Sequence, residues 1–313
     1  MHPAFSVIFF TVSSGAGFGL FALLYLVDLF GMGGGLSVEE KLVAGALALL
    51  LIGAGLTSSM FHLANPKNAW RAFSRFRTSW LSREGVFAMA FYPFAMIYLG
   101  LTWLLMPELE MARLAAGALA TLLAWITLFS TGMIYACLKT IRQWNSPLVP
   151  ANYVALGHFT GALLLLIVAS HGNVALSGYI ALVLALLAIA AALKAIYYFW
   201  IANPGASSTI KTATGFTRGT VRLLDTGHTH DTFLTQEFGF QLARKYALAL
   251  KIVVFVAGFT LPALAIALIP DGNLNAAIYA AVVMAILGMV AERWLFFAEA
   301  RHVVNLYHGA QHC

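Results

Sequence analysis

Charged residues are scarce in this chain of 313 residues. They make up 10% of it, and hydrophobic residues make up 61%, whereas a soluble domain carries about 25% charged residues. This composition excludes a freely soluble globular domain. The formal net charge of +6 is therefore interpreted as a marker of membrane topology and not of nucleic-acid binding.

Cysteine is also scarce, and no cofactor-binding motif accompanies it. Cys137 and Cys313 are too few and too far apart to indicate a disulfide framework or a zinc site. The sequence has no iron–sulfur cysteine run, no phosphate loop and no dinucleotide fingerprint. We therefore expect no metal site in this chain, and any metal centre for redox chemistry would belong to a partner subunit.

Long apolar runs fill most of the chain. Most of these runs have the length of about 20 residues that a membrane span requires. Only helices and closed barrels cross the hydrocarbon layer, and these runs are too long for barrel strands. The sequence therefore predicts an all-α fold, an integral membrane bundle of eight transmembrane helices in a single membrane domain, residues 1–313. The predicted helices are 5–27, 42–64, 85–106, 112–136, 153–170, 175–200, 246–269 and 275–298, with a long polar loop at 203–240.

Basic residues are concentrated in the loops on one side of the predicted bundle. By the positive-inside rule that side, and with it both termini, is cytoplasmic, and we expect a bacterial cytoplasmic (inner) membrane. The loop 203–240 lies on the same side and is expected to dock on another surface. Lys194 and Lys251 fall near cytoplasmic helix ends, where long side chains can extend to the interface. The connection between helices 2 and 3 carries five basic residues: Lys67, Arg71, Arg75, Arg77 and Arg83.

The end of the second predicted helix carries a titratable side chain followed by arginines. His62 lies about one turn before Asn65-Pro66, which stops the helix because proline cannot donate to the hydrogen-bond ladder. At this boundary His62 either bonds a loop carbonyl or binds a quinone carbonyl and accepts a proton. Arg71 either holds the loop at the membrane surface or steadies charge on a reduced quinone. If the loop is helical, Arg71 and Arg75 share a face.

Three further ionisable residues lie within predicted helices or at the start of one. Glu84 is expected in the first turn of helix 3, after Ser82 as the N-cap, where it either complements the helix dipole or relays protons. Glu292 lies about 25 Å into helix 8 at 1.5 Å per residue, beside Arg293. Ionisable residues at such depth are costly, so this pair either locks helix 8 to its neighbours or takes part in proton transfer and quinone binding.

Histidines offer an alternative cofactor. His158 and His302 are expected at a depth similar to that of His62, and two histidines that face each other can hold a b-type haem. Nothing in the sequence shows that any two of them face each other. The sequence therefore favours a quinone without haem, and haem b held by two of these three histidines is the alternative.

The motifs around helices 2 and 3 resemble those of a known family. Phe61-His62-Leu63-Ala64-Asn65-Pro66, followed by Leu81-Ser82-Arg83-Glu84, is similar to the pattern His-Leu-Gly-x-Pro … Leu-Ser-x-Glu. That pattern belongs to the membrane-anchor subunits of dimethyl-sulfoxide-reductase-type molybdenum enzymes, a branch of the polysulfide-reductase-like anchors. The Glu292-Arg293 pair and the eight-helix length also fit, and Ala64 replaces the glycine of the motif.

The resemblance implies a subunit that exchanges electrons with ubiquinone or menaquinone. Its partners would be an iron–sulfur electron-transfer subunit on the cytoplasmic face and, through it, a molybdopterin catalytic subunit. The resemblance ties His62 to the quinol site. We expect the quinone head between helices 2, 3 and 8, with one carbonyl on His62 and with protons arriving through Glu84 or Glu292. Glu84 carries over from its place in the motif, and Glu292 with Arg293 from the pair in helix 8.

Two stretches are most similar to the anchor of the cytoplasmically oriented membrane-bound sulfite dehydrogenases: Met1–Ser6 and Gln236–Tyr246. This similarity implies that electrons pass from sulfite oxidation to quinone. The alternatives are the anchor of a quinol-oxidising dimethyl sulfoxide or related reductase, a purely structural anchor, and a transporter. A transporter predicts charges at the midplane and helices with central Pro-Gly interruptions, neither of which the sequence indicates.

Overall fold

Eight long helices dominate the residues that the computed structural model describes, namely 4–61, 65–202, 208–216, 218–225, 230, 246–268 and 274–313. All eight are long and apolar enough to cross a membrane, and the described residues form no strand. The all-α bundle of eight transmembrane helices is thus confirmed. The helices are α1 (Phe5–Phe30), α2 (Val38–Met60), α3 (Trp80–Leu104), α4 (Glu110–Ala136), α5 (Leu148–Ser170), α6 (Leu176–Ala202), α7 (Ala247–Phe255, Val256–Thr260 and Leu261–Leu268) and α8 (Leu274–Ala298).

The helix α3 begins earlier than its hydropathy indicates. Its N-cap is Ser79, whose hydroxyl accepts the backbone N–H of Ser82 at 3.4 Å. The expectation that Ser82 caps this helix is therefore wrong, because a stretch rich in polar residues already forms the first turn. Glu84 consequently lies in the second turn, and its side chain is buried among other helices.

The helix α7 is interrupted at its centre. Its middle segment, Val256–Thr260, is a π-helical turn. Gly258 lies in this turn against Gly288 of α8, and a Cβ on Gly258 would approach the Cε of Met289 to 2.9 Å. The chain nevertheless stays helical through this turn, because the flanking residues Phe255 and Leu261 keep right-handed helical geometry.

The first helix occupies the centre of the bundle. It packs against α2, α4, α5 and α8 and is buried over most of its length. Glycines allow α1 and α5 to approach closely, since a Cβ on Gly157 would lie 2.9 Å from the carbonyl oxygen of Gly15. Packing of this kind replaces the hydrophobic effect as the main cohesive force inside a bilayer.

The two ends of the bundle differ in charge pairing. At one end, Asp28 of α1 accepts from Tyr98 of α3 at 2.7 Å, pairs with Lys41 of α2 at 2.5 Å and pairs with Arg113 of α4. This cluster ties four helices together. The other end, where α2, α4, α6 and α8 terminate, carries the basic connections and is called the basic end below.

Part of the predicted loop 203–240 is held by the C-terminal segment at the basic end. Ile210 is buried, and its backbone N–H donates to the carbonyl of Gln311 at 3.1 Å. The N–H of Cys313 donates to the carbonyl of Ser208 at 3.0 Å. The beginning of the loop thus packs against the chain itself, whereas most of the stretch 226–245 lies outside the described residues.

Candidate functional site

The connection between α2 and α3 is a 3₁₀ helix, Pro66–Arg75, that lies over the start of α3. The N–H of Arg75 donates to the hydroxyl of Ser82 at 3.2 Å. Arg71 is exposed, and its guanidinium lies 5.8 Å from the ring centre of Trp70. Because a 3₁₀ helix has three residues per turn, Arg71 and Arg75 point about 120° apart. The expectation that these two arginines share a face is wrong.

Arg83 holds the end of this connection against the first turn of α3. Its Nε donates to the carbonyl of Phe76 at 3.0 Å, and its Nη2 donates to the carbonyl of Arg77 at 2.8 Å. Its guanidinium also lies 4.2 Å from the ring centre of Trp80. Arg83 therefore holds backbone and not a ligand. His62 lies outside the described residues, although its described neighbours Phe61 and Asn65 belong to this connection.

Glu84 is a buried carboxyl group, 4% exposed, and no described cation pairs with it. Its Oε1 is hydrogen-bonded to the hydroxyl of Thr131 on α4, and that hydroxyl also lies 3.0 Å from the carbonyl of Thr127. A hydroxyl has one hydrogen to donate. When Thr131 donates to Thr127, its bond with Glu84 requires a protonated carboxyl group that donates. The geometry accommodates Glu84 with or without a proton.

Two stacked tyrosines extend from Glu84 across the bundle. Tyr135 of α4 and Tyr153 of α5 have ring centres 5.8 Å apart and planes 20° from parallel. Tyr135 lies close enough to both Glu84 and Arg293 for electrostatic interaction. The guanidinium of Arg293 lies 3.8 Å from the ring centre of Tyr153, which is cation–π contact.

Next to the two tyrosines lies a buried ionic triad, which consists of Glu292, Lys194 and Arg293. Glu292 of α8 forms an ion pair with Lys194 of α6, and both side chains are 1% exposed. Arg293 Nη1 lies 3.3 Å from Glu292 Oε2, within ion-pair distance, but without the alignment of a hydrogen bond. The ammonium of Lys194 also lies 4.7 Å from the ring centre of Tyr197. Two cations thus share one carboxylate inside the membrane region.

Together these side chains form a continuous layer, here called the polar belt, that connects α3, α4, α5, α8 and α6. At 1.5 Å per residue, Tyr135 lies about 1.5 Å and the other belt residues lie about 6–12 Å inside the helix ends at the basic end. The midplane of a layer about 30 Å thick is about 15 Å from each boundary, so the belt lies on the basic side of the midplane. The polar belt consists of Glu84, Thr131, Tyr135, Tyr153, Lys194, Glu292 and Arg293.

Lys194 is a belt residue that sequence reasoning missed. We expected it to extend to the interface, and this expectation is wrong, because its ammonium group is buried against Glu292. The available signal was a single lysine in an otherwise apolar run, Leu176–Ala202. An ionisable residue within a span usually faces the bundle interior and pairs with another group there.

The two glutamates lie in different parts of the belt. The sequence placed the quinone head between helices 2, 3 and 8, with Glu84 and Glu292 at one site. Instead, α8 packs against α1, α5 and α7, whereas α3 packs mainly against α4. The expected position of the quinone head between α2, α3 and α8 is therefore wrong, and the tyrosine pair separates the two carboxyl groups.

The described histidines do not fit a haem. Trp125 donates to His158 Nε2 at 2.8 Å, and His158 Nδ1 lies 2.8 Å from the carbonyl of Val154, so both ring nitrogens are engaged. His302 lies beyond the end of α8, and its Nδ1 accepts the N–H of Val304 at 3.0 Å. Burial lowers the pKa of His302, which favours the neutral ring that this bond requires.

The depths of these histidines also differ. At 1.5 Å per residue, His158 lies about 15 Å inside α5, which begins at Leu148, while His302 is outside the span. The expectation of a similar depth is therefore wrong for this pair, because ten residues of helix separate His158 from the basic end. A haem between His158 and His302 has no support in this arrangement.

Comparison with known proteins gives matches over nearly the whole chain. A family model described as "DMSO reductase anchor subunit (DmsC)" matches residues 1–298. The chain is 34% identical over 324 residues to a sulfite dehydrogenase subunit of Allochromatium vinosum. That similarity covers 98% of this chain and 99% of the relative.

Proposed function

Since the chain belongs to the family of DMSO reductase anchor subunits, we propose that it is the quinone-interacting membrane subunit of a molybdenum and iron–sulfur oxidoreductase. In this proposal it passes electrons from sulfite oxidation to the quinone pool. The observation that carries the proposal is the polar belt on the basic side of the membrane midplane, in which the hydrogen bond of Glu84 to Thr131 is compatible with a protonated or an ionised carboxyl group. Similarity to the sulfite dehydrogenase subunit supports sulfite as the electron source.

The start of α3 offers the groups that a quinone head requires. Trp80 lies one turn before Glu84 on the same helix face, and its ring contacts that of Phe129 on α4 at a centroid distance of 5.9 Å. Phe129 is 44% exposed on the outer surface of the bundle, where a lipid-soluble ring can approach. Apolar walls with a few polar groups are typical of small-molecule sites. We place the quinone head at this position, with His62 on one carbonyl.

A quinone reduced at this site takes up two electrons and two protons. Electrons enter at the basic end, where the partner iron–sulfur subunit docks on the exposed connection that contains Arg71. Glu84 delivers a proton to the quinone and takes up another from water at the basic end, while Thr131 orients its carboxyl group. Arg71 lies at the surface of the site. Arg293, at the other end of the tyrosine pair, supplies positive charge. Glu292 is the second group that exchanges protons.

The same proposal assigns sides to the membrane. The basic end, both termini, the iron–sulfur subunit and, through it, the molybdopterin subunit lie on the cytoplasmic side of a bacterial inner membrane. The quinone is ubiquinone or menaquinone, and the metal centres belong to the partner subunits. Because proton uptake and the quinone site share one side, the reaction moves little charge across the membrane.

Other functions make different predictions for the same residues. A sulfoxide reductase anchor would run the reaction in reverse, and the purified complex would oxidise quinol with a sulfoxide and be inert to sulfite. A purely structural anchor would tolerate substitution of Glu84. A transporter would need ionisable residues at the midplane and a binding site there, whereas the belt lies on the basic side of the midplane.

Substitution of His62 tests the quinone contact itself. We expect His62→Ala to raise the KM for a quinone analogue about tenfold, because one hydrogen bond to the carbonyl is lost. Sulfite oxidation with a soluble artificial acceptor should stay unchanged. The matched control is His171→Ala at the opposite end of the bundle, which should leave the KM as it is. An assembled His62→Ala complex with a normal KM and rate would remove His62 from the mechanism.

A further inference from the structure

A second polar site lies at the basic end, separate from the polar belt. It is a pocket of about 260 Å³ between the α4–α5 connection, the end of α6 and the segment that follows α8. Three basic side chains line it, those of Lys139, Arg142 and Arg301. None of them takes part in the tyrosine stack or in the ionic triad, and the function proposed above makes no use of this pocket.

The three cations of the pocket form no ion pair within the described part of the chain. No described carboxylate lies within ion-pair distance of Lys139, Arg142 or Arg301. The contrast with the opposite end is clear, since Lys41 and Arg113 there are both paired with Asp28. Three positive charges around one concave space attract an anion that can enter it.

Hydrogen bonds between backbone groups, and between backbone and side chains, hold the walls of this pocket in place. Val303 N–H donates to the carbonyl of Thr140 at 3.1 Å, and Arg301 N–H donates to the side-chain oxygen of Gln143 at 3.3 Å. The Nδ2 of Asn145 donates to the carbonyl of Ala136 at 2.6 Å. The segments that carry the three cations are therefore fixed to one another before any ligand arrives, which lowers the entropic cost of binding.

The depth of the pocket identifies the kind of anion. Trp200, which lines it, lies two residues before the end of α6, and Ala136 at the end of α4 is held against its wall. Tryptophan at a helix end is typical of the headgroup level of a membrane. We propose that this pocket binds the phosphate of an anionic phospholipid headgroup, with Lys139, Arg142 and Arg301 as its cationic ligands.

Lipid titration of the full chain in detergent tests this site. The delipidated chain is titrated with phosphatidylglycerol, and bound lipid is counted by native mass spectrometry. A basic residue near an anionic lipid contributes about a fivefold factor in binding, so Lys139→Gln, Arg142→Gln and Arg301→Gln together should weaken binding about 100-fold. Phosphatidylcholine should bind the original chain far more weakly than phosphatidylglycerol does.

Matched controls separate the pocket from general charge attraction. Lys211→Gln, Arg218→Gln and Arg222→Gln remove three exposed cations on the same side of the bundle and should leave the affinity unchanged. If both triple variants lose affinity equally, or neither loses it, the proposal is overturned. If inorganic phosphate at low millimolar concentration displaces phosphatidylglycerol, the site binds a free anion and the proposal of a lipid headgroup is overturned. If the triple variant does not fold, the single variant Arg142→Gln tests the site instead. Its affinity for phosphatidylglycerol should fall about fivefold.

Discussion

Glu84→Gln in the assembled complex is expected to lower the rate of quinone reduction about 100-fold, the contribution typical of one general acid–base group. Glutamine has the shape of glutamate and still accepts the hydroxyl hydrogen of Thr131, so the α3–α4 contact is preserved. The amide of glutamine cannot deliver a proton to a quinone oxygen. The loss should therefore appear in kcat, with little change in KM, when sulfite-driven reduction of a quinone analogue is followed by absorbance.

Two controls make this result specific. Glu108→Gln removes an exposed carboxylate at the opposite end of the bundle and should leave the rate unchanged. Electron transfer from sulfite to a soluble artificial acceptor should be the same in all three complexes. A Glu84→Gln complex with a normal kcat would exclude Glu84 as the proton donor and favour the purely structural anchor.

Glu292→Gln is expected to lower the free energy of unfolding by about 3–5 kcal/mol, the cost of breaking a buried ion pair from one side. Glu292 is the carboxylate that faces both Lys194 and Arg293, and all three side chains are at most 5% exposed. Its removal leaves two buried cations close together without a counter-charge. Unfolding of the purified chain in mixed detergent micelles, at increasing dodecyl sulfate, gives the measurement.

The comparison with Lys194→Met identifies the cause of that loss. Methionine removes one of the two cations, and Arg293 remains 3.3 Å from Glu292 as its partner. We therefore expect Lys194→Met to destabilise less than Glu292→Gln. Lys251→Met removes a partly exposed pair with Glu299 at 2.7 Å and should cost under about 1 kcal/mol. Equal destabilisation by Lys194→Met and Glu292→Gln would contradict a triad in which two cations share one carboxylate.

Hydropathy was sufficient to predict the eight helices but not their first turns. Runs of apolar residues show where the hydrocarbon layer is crossed, whereas a helix begins where its N–H groups find a cap. The helix α3 therefore starts at Trp80 with Ser79 as cap, although the apolar run begins only at 85. The helix α5 likewise begins at Leu148, ahead of the apolar run at 153, and the N–H of Leu148 donates to the hydroxyl of Ser146 at 3.2 Å.

The polar belt was only partly predictable, because it depends on contacts between helices. Glu84, Glu292 and Arg293 stand out in a sequence as charges inside spans, and a motif adds weight to the first of them. The role of Lys194 depends on which face of α6 meets α8, and a helix that is apolar on all sides carries no such signal. Thr131, Tyr135 and Tyr153 are ordinary membrane-helix residues until packing aligns them.

The proposed role depends most directly on whether quinone reduction requires this chain. The partner subunits are prepared with and without it, and sulfite-driven reduction of a quinone analogue and of a soluble artificial acceptor is measured in both preparations. We expect both preparations to reduce the soluble acceptor, and only the complex that contains this chain to reduce the quinone. Quinone reduction at the same rate without this chain, or no quinone reduction with it, would contradict a quinone-interacting anchor.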